Sequence, residues 1–212
     1  MRISSRLTRR TEIAVAAVSV TAFVTVTSLV NRGSPQSALA AETPRPDSSA
    51  VTFDNSGQLL RPEGYRRWVY VGTPLTPNDM NDGTAAFPEF HAVYVDPDTY
   101  EHFEETGEFR DGAVVIKELI SVGARRATSG RGYFMGDFSG LEVAVKDETR
   151  FKDEPGNWAY FSFGHEYPLA ESARPQPVAN CSVCHGANAD TDFVFTQYYP
   201  VLRPATDSQR SP

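Results

Sequence analysis

Apolar positions along the chain follow two patterns. Ile13 to Val30 is an uncharged, largely apolar run without alternation. From Tyr65 onward, short segments rich in β-branched and aromatic residues are divided by Gly, Pro, Asn and Asp, the pattern of strands joined by turns. The segments are Arg67–Val71, Phe90–Val95, Ala113–Val122, Tyr133–Phe138, Leu141–Lys146 and Trp158–Phe163. Short spacings after Gly112 imply antiparallel neighbours, because parallel strands need a crossover of about a dozen residues or more. One helix is predicted over 97–106: Asp96 offers a side-chain acceptor at the N-cap, Pro97 suits the first helical position, and Gly107 is a stop. Asp192–Tyr199 reads as a last short turn of helix before Pro200. The pattern predicts an α+β domain, a twisted antiparallel β-sheet with a few short helices.

The unalternating run has a different meaning. Arg2, Arg6, Arg9 and Arg10 precede it, and Ala38-Leu39-Ala40 follows within a small-residue stretch from Ser37 to Ala41, so the three parts of an export signal stand in order. Residues 1–40 therefore read as a signal peptide, and the expected location is the periplasm of a bacterial cell envelope. About 18 apolar residues can just span a bilayer, which makes an uncleaved anchor the rival reading. The Ser and Thr within the run and the A-x-A site favour cleavage, leaving no membrane association. Residues 41–62, with Pro44, Pro46, Ser48, Ser49, Asn55 and Gly57, read as a flexible leader. Residues 63–203 form the expected domain and 204–212 a flexible tail.

Charge narrows the partners. Five of the 20 basic residues and one of the 27 acidic ones lie in the first forty, leaving 15 against 26, a net of −11. Such a surface repels nucleic acid and anionic lipid, and suits small neutral ligands or basic redox partners. Only two cysteines occur, so no disulfide framework supports the fold.

Those cysteines carry the strongest chemical signal. Cys181-Ser182-Val183-Cys184-His185 has the C-x-x-C-H spacing of c-type haem attachment. Two thiols at this spacing can add to the two vinyl groups of one haem, and the adjacent histidine then falls beneath the iron as axial ligand. A zinc site would need more ligands, yet there is no third cysteine and His91, His102 and His165 show no paired spacing. A thioredoxin-like pair would open a helix in a βαβ unit, whereas this motif follows a proline-rich stretch late in an antiparallel domain. The expected cofactor is one covalent haem c with its iron, held by Cys181, Cys184 and His185.

Only 27 residues follow His185, and none is methionine. Met80 and Met135 lie upstream and read as gap-fillers. An open or weakly held sixth iron position follows, which favours small-molecule chemistry over plain electron transfer. Phe90, Tyr133, Phe134, Trp158 and Phe161 are candidates for the pocket walls, although most aromatic residues are simply core. His91 is a candidate distal polar group, set against the commoner structural role of a lone strand histidine.

Several blocks together resemble the cytochrome P-460 family, over about Trp68 to Arg203. They are Phe109-Arg110-Asp111-Gly112-Ala113-Val114-Val115-Ile116-Lys117-Glu118-Leu119, Gly140-Leu141-Glu142-Val143-Ala144-Val145-Lys146-Asp147, Trp158-Ala159-Tyr160-Phe161, the haem motif, and Asp192-Phe193-Val194-Phe195-Thr196-Gln197-Tyr198-Tyr199-Pro200. The resemblance implies that Lys117 sits at the haem edge, where in the family a matching lysine can be bonded to the macrocycle. Alternation alone leaves open whether Lys117 or Glu118 faces outward. The resemblance also implies that Glu142 sits over the iron and takes protons from hydroxylamine; by alternation alone Glu142, with Ala144 and Lys146, would face solvent. It suggests a homodimer, and an oxidoreductase acting on hydroxylamine or a related nitrogen compound with an external electron acceptor. The related cytochrome c′-beta proteins share the fold, lack the cross-link, and imply an alternative: capture of nitric oxide or another diatomic gas without turnover. A plain electron-carrying cytochrome is the third reading.

Overall fold

Strand β4 (Val114–Val122) is apolar on both of its faces, and the sheet is built around it. In the computed structural model, which describes residues 50–203, Val114, Val115, Ile116, Leu119 and Ile120 are all buried. A strand buried on both sides loses the alternation that marks a half-exposed one. The other strands, in chain order, are β1 (Leu59–Leu60), β2 (Val69–Gly72), β3 (Phe90–Val95), β5 (Arg126–Ala127), β6 (Gly130–Arg131), β7 (Met135–Lys146), β8 (Trp158–Ser162) and β9 (Ser172–Ala173). Five of them form an antiparallel sheet in the order β2-β3-β4-β7-β8. Strands β5 and β6 pair as the tip of the β4–β7 hairpin, and β1 pairs with β9. The described helices are α1 (Pro97–Thr106) and α2 (Ser182–Asn188), and short 3-10 turns occur elsewhere along the chain. The fold is α+β.

Helix α1 has the predicted bounds. Asp96 Oδ1 accepts from the Thr99 amide at 3.0 Å, Pro97 opens the helix, and Gly107 ends it at φ 76°. Elsewhere the boundaries move. Gly140 does not separate two strands, as its position between Tyr133–Phe138 and Leu141–Lys146 suggested; β7 runs through it without a turn. A Cβ there would lie 2.8 Å from the Gly164 carbonyl and 2.9 Å from the Leu119 side chain, so close approach explains this glycine. Residues 50–62, read as the end of a leader, pack on the domain, with Val51 and Leu59 buried and β1 paired. The predicted turn near Asp192–Tyr199 resolves into 3-10 turns at Thr196–Tyr198 and Pro200–Leu202.

Each face of the sheet carries its own core. On one, Val114, Ile116, Leu141, Val143, Val145 and Phe161 pack beneath Val51, Leu59 and Tyr65. Glu118 lies within this layer, fully buried; Tyr65 Oη donates to it at 2.7 Å and Arg66 forms an ion pair with it. On the other, Val93, Val95, Val115, Trp158 and Tyr160 pack beneath α1 and the chain's last described stretch, through Phe103, Val194, Tyr199 and Leu202. Residues 1–40, read as a signal peptide, and 204–212, read as a tail, lie outside the described residues. Among the described residues no helix is long and apolar enough to cross a membrane.

Candidate functional site

The second face holds a cavity of about 490 Å³, within the size range of cofactor sites. Its floor is the sheet: His91 and Val93 from β3, Val115 and Lys117 from β4, Glu142 and Ala144 from β7, and Tyr160 from β8. Cys181, Cys184 and His185 stand along one wall, where α2 begins, and Phe193 to Tyr199 continue it. The loop from Pro74 to Phe87 supplies the facing wall.

Alternation alone placed Glu142 toward solvent, which holds only for a sheet with one wet face. Both faces are covered here, so Lys117 and Glu142 point into the cavity while Glu118 points into the opposite core. Lys117 and Glu142 are register partners across β4 and β7. Burial draws the Lys117 ammonium below its usual range, against the raising influence of Glu142, Cys181 and Glu89. Its Nζ lies 3.9 Å from the centre of the Phe87 ring, a cation–π contact. Glu142 Oε1 accepts from Ser162 Oγ at 2.9 Å and lies 2.6 Å from His165 Nε2.

His185 is held from behind. Its Nδ1 donates to the Phe193 carbonyl at 2.7 Å, which leaves the Nε2 lone pair free for a metal. The rings of Tyr160 and Phe195 lie 4.5 and 4.7 Å from the imidazole. Burial lowers the His185 pKa, opposed by the Phe193 carbonyl and reinforced by the Lys117 charge. Phe193 adopts φ 63° and Asp192 φ 41°, and Lys146 Nζ ties this turn down through Asp192 at 2.7 Å. Cys181 is half-buried and Cys184 exposed; burial, then the Glu142 charge, pushes the Cys181 thiol up while Lys117 opposes.

The family model for cytochrome P460 matches residues 62–196, which takes in every residue of this cavity floor and the C-x-x-C-H motif. The chain belongs to the cytochrome P460 family. No curated protein matches it. Membership makes this a haem protein, and the cavity of this P460 domain fits that cofactor: two thiols and an imidazole with a free Nε2 share one wall of a largely apolar chamber.

The walls differ from expectation. Phe161 and Phe90 lie on the far side of the sheet, Trp158 is core against Phe109, and Tyr133 and Phe134 belong to the hairpin, with Tyr133 Oη bonded to Asp79 at 2.9 Å. Phe87, Tyr160, Phe193, Phe195, Tyr198 and Tyr199 line the cavity instead. His91 does line it; its Nε2 is buried with no hydrogen-bond partner, and its pKa falls to about 4, through burial first and the Lys117 charge second. Met80 and Met135 are 75% and 50% exposed and line no part of it. Sequence reasoning missed three residues that shape the site: His165, Asp192 and the Phe193 carbonyl. The last two lay in a stretch already singled out, Asp192 to Pro200.

Proposed function

We propose that this cytochrome P460 family member is a c-type haem oxidoreductase that oxidises hydroxylamine or a related small nitrogen compound and passes the electrons to an external acceptor. One observation carries the reading: a carboxylate, Glu142, faces the cavity that the C-x-x-C-H motif also faces. Cys181 and Cys184 would bond the haem, His185 would bind the iron through Nε2, and Lys117 would lie at the ring edge, in reach of a further bond to it. The haem would supply the electron sink and the Lewis-acid site.

The protein's part is proton management. Oxidation of hydroxylamine releases protons as well as electrons, and in a largely apolar chamber they need a defined acceptor. Glu142 is suited to this, held on the cavity floor by Ser162 and His165, with Lys117 as its register partner on the neighbouring strand. Among the described residues no methionine lines the cavity, which supports a haem that would keep room for a small ligand. Export and cleavage near Ala40, with loading of haem in the periplasm, and assembly as a homodimer belong to the same reading.

Glu142→Ala and Glu142→Gln should keep full haem content and slow hydroxylamine oxidation by about 10²- to 10⁴-fold, as measured by steady-state turnover beside the haem spectrum. Turnover equal to the parent in both would remove Glu142 from the chemistry. The apolar side chains Val93, Val115, Ala85 and Ala86 around the cavity favour a second reading, capture of nitric oxide without turnover. A parent that binds nitric oxide tightly and oxidises no hydroxylamine would establish it.

A further inference from the structure

The polar groups at Glu142 continue outward. His165 follows Gly164, whose φ of 112° bends the chain away from the end of β8 and brings the imidazole back over β7. Its Nε2 lies 2.6 Å from Glu142 Oε1, while the His165 side chain is 48% exposed and the Glu142 side chain 16%. One ring thus touches the cavity carboxylate and water together. Phe87 packs against this imidazole, its ring centre 6.0 Å away, and against the Lys117 ammonium. An apolar side chain therefore occupies the wall beside the pair, and the carboxylate–imidazole contact is the polar way through.

We propose that His165 is the proton exit of the site, relaying protons from Glu142 to bulk water. The proposal rests on the reading of Glu142 as proton acceptor. The Glu142 carboxylate takes one proton from the bound ligand and passes it to His165 Nε2; the ring releases one proton to water, and Glu142 is a carboxylate again. No electron moves in these steps. Imidazole suits the task because it gains and loses protons near neutral pH. The titratable groups facing Glu142 from the packed elements are Lys117 on β4, Cys181 at the start of α2, and His165 itself. Lys117 lies on the cavity floor and Cys181 on its wall, so neither leads outward as His165 does. His165 acts through Glu142 and does not touch the substrate; its role is positioning and relay.

Hydrogen cyanide provides a test independent of turnover, because it must lose its proton as cyanide binds ferric haem. Association is followed by stopped-flow absorbance in the holoprotein at low buffer concentration, with haem content and circular dichroism confirming the fold of each variant. His165→Gln places an amide donor near Glu142 Oε1 without a titratable ring, and His165→Ala removes the contact. Both should slow association by about tenfold or more, and both should recover as a non-coordinating buffer such as HEPES is raised, since the buffer replaces an exposed relay. Glu142→Gln should be slow at every buffer concentration. A His165→Gln protein as fast as the parent, with only His165→Ala slow, would reduce His165 to a hydrogen-bond donor and overturn the relay. Equal rates in parent and both His165 variants would overturn it too. A parent that binds no cyanide would instead overturn the open-iron reading beneath it, a result separable from the others.

Discussion

Phe193 holds a left-handed backbone conformation that is unfavourable for a bulky side chain by about 1–2 kcal/mol, and the turn it makes aims one carbonyl at His185 Nδ1. The ring is wedged between two glycines. A Cβ on Gly186 would lie 2.8 Å from it, and one on Gly156 would overlap it. Gly186→Ala should therefore displace Phe193, loosen the His185 hydrogen bond and destabilise the protein by about 1–3 kcal/mol, measured from denaturant midpoints. An unchanged midpoint would mean that the wedge is loose. At this scale the sequence is uneven in what it discloses. Cys181, Cys184 and His185 stand out in the sequence because the proposed attachment chemistry demands adjacency in the chain, and all three line the cavity. Lys117 and Glu142 are ambiguous by alternation, since a sheet buried on both sides has no wet face to exclude. The His165 contact with Glu142 arises from the bend at Gly164 and leaves no periodic trace.

Among the elements, α1 was the most legible, because its start and stop signals are local. Asp96 does more than cap it. One oxygen accepts from the Thr99 amide, the other from the Val114 amide at 2.9 Å, and Arg110 pairs with the carboxylate at 3.3 Å. A single buried side chain thus ties the helix start to the first residue of the central strand. Asp96→Ala removes a cap and strands a buried amide, so it should destabilise by about 2–4 kcal/mol, and Asp96→Asn, which keeps one acceptor, by less. Thermal unfolding of the two variants would show the order. Strand β7 was the least legible. Gly140 has the composition of a turn, but the crowding that requires glycine there comes from Leu119 and Gly164, and only the assembled sheet reveals it.

For the molecule as a whole, covering both faces of one sheet makes the fold acid-sensitive through His91. Burial holds its pKa at about 4, below the usual 6.5. As pH falls through that window the unfolded chain takes up a proton that the folded chain refuses, so stability declines from about pH 6.5 toward about 4 and is unaffected by this group above it. The loss should be on the order of 2 kcal/mol after allowance for partial exposure. His91→Gln should flatten the acid limb, which urea midpoints at pH values bracketing the window would reveal; an unchanged slope would assign the acid loss to other groups.

The order of the elements along the chain has a consequence for assembly. Among the described residues every strand lies between Leu59 and Ala173, and Cys181 follows the last of them. A polypeptide is made from its N-terminus, so all nine described strands have left the ribosome before either thiol does. The segment that carries the C-x-x-C-H motif is the last described wall of the cavity to arrive. A haem that binds at this motif, as proposed, would meet a scaffold whose described strands are already synthesised, and the Phe193 carbonyl that holds His185 from behind comes later still in the chain.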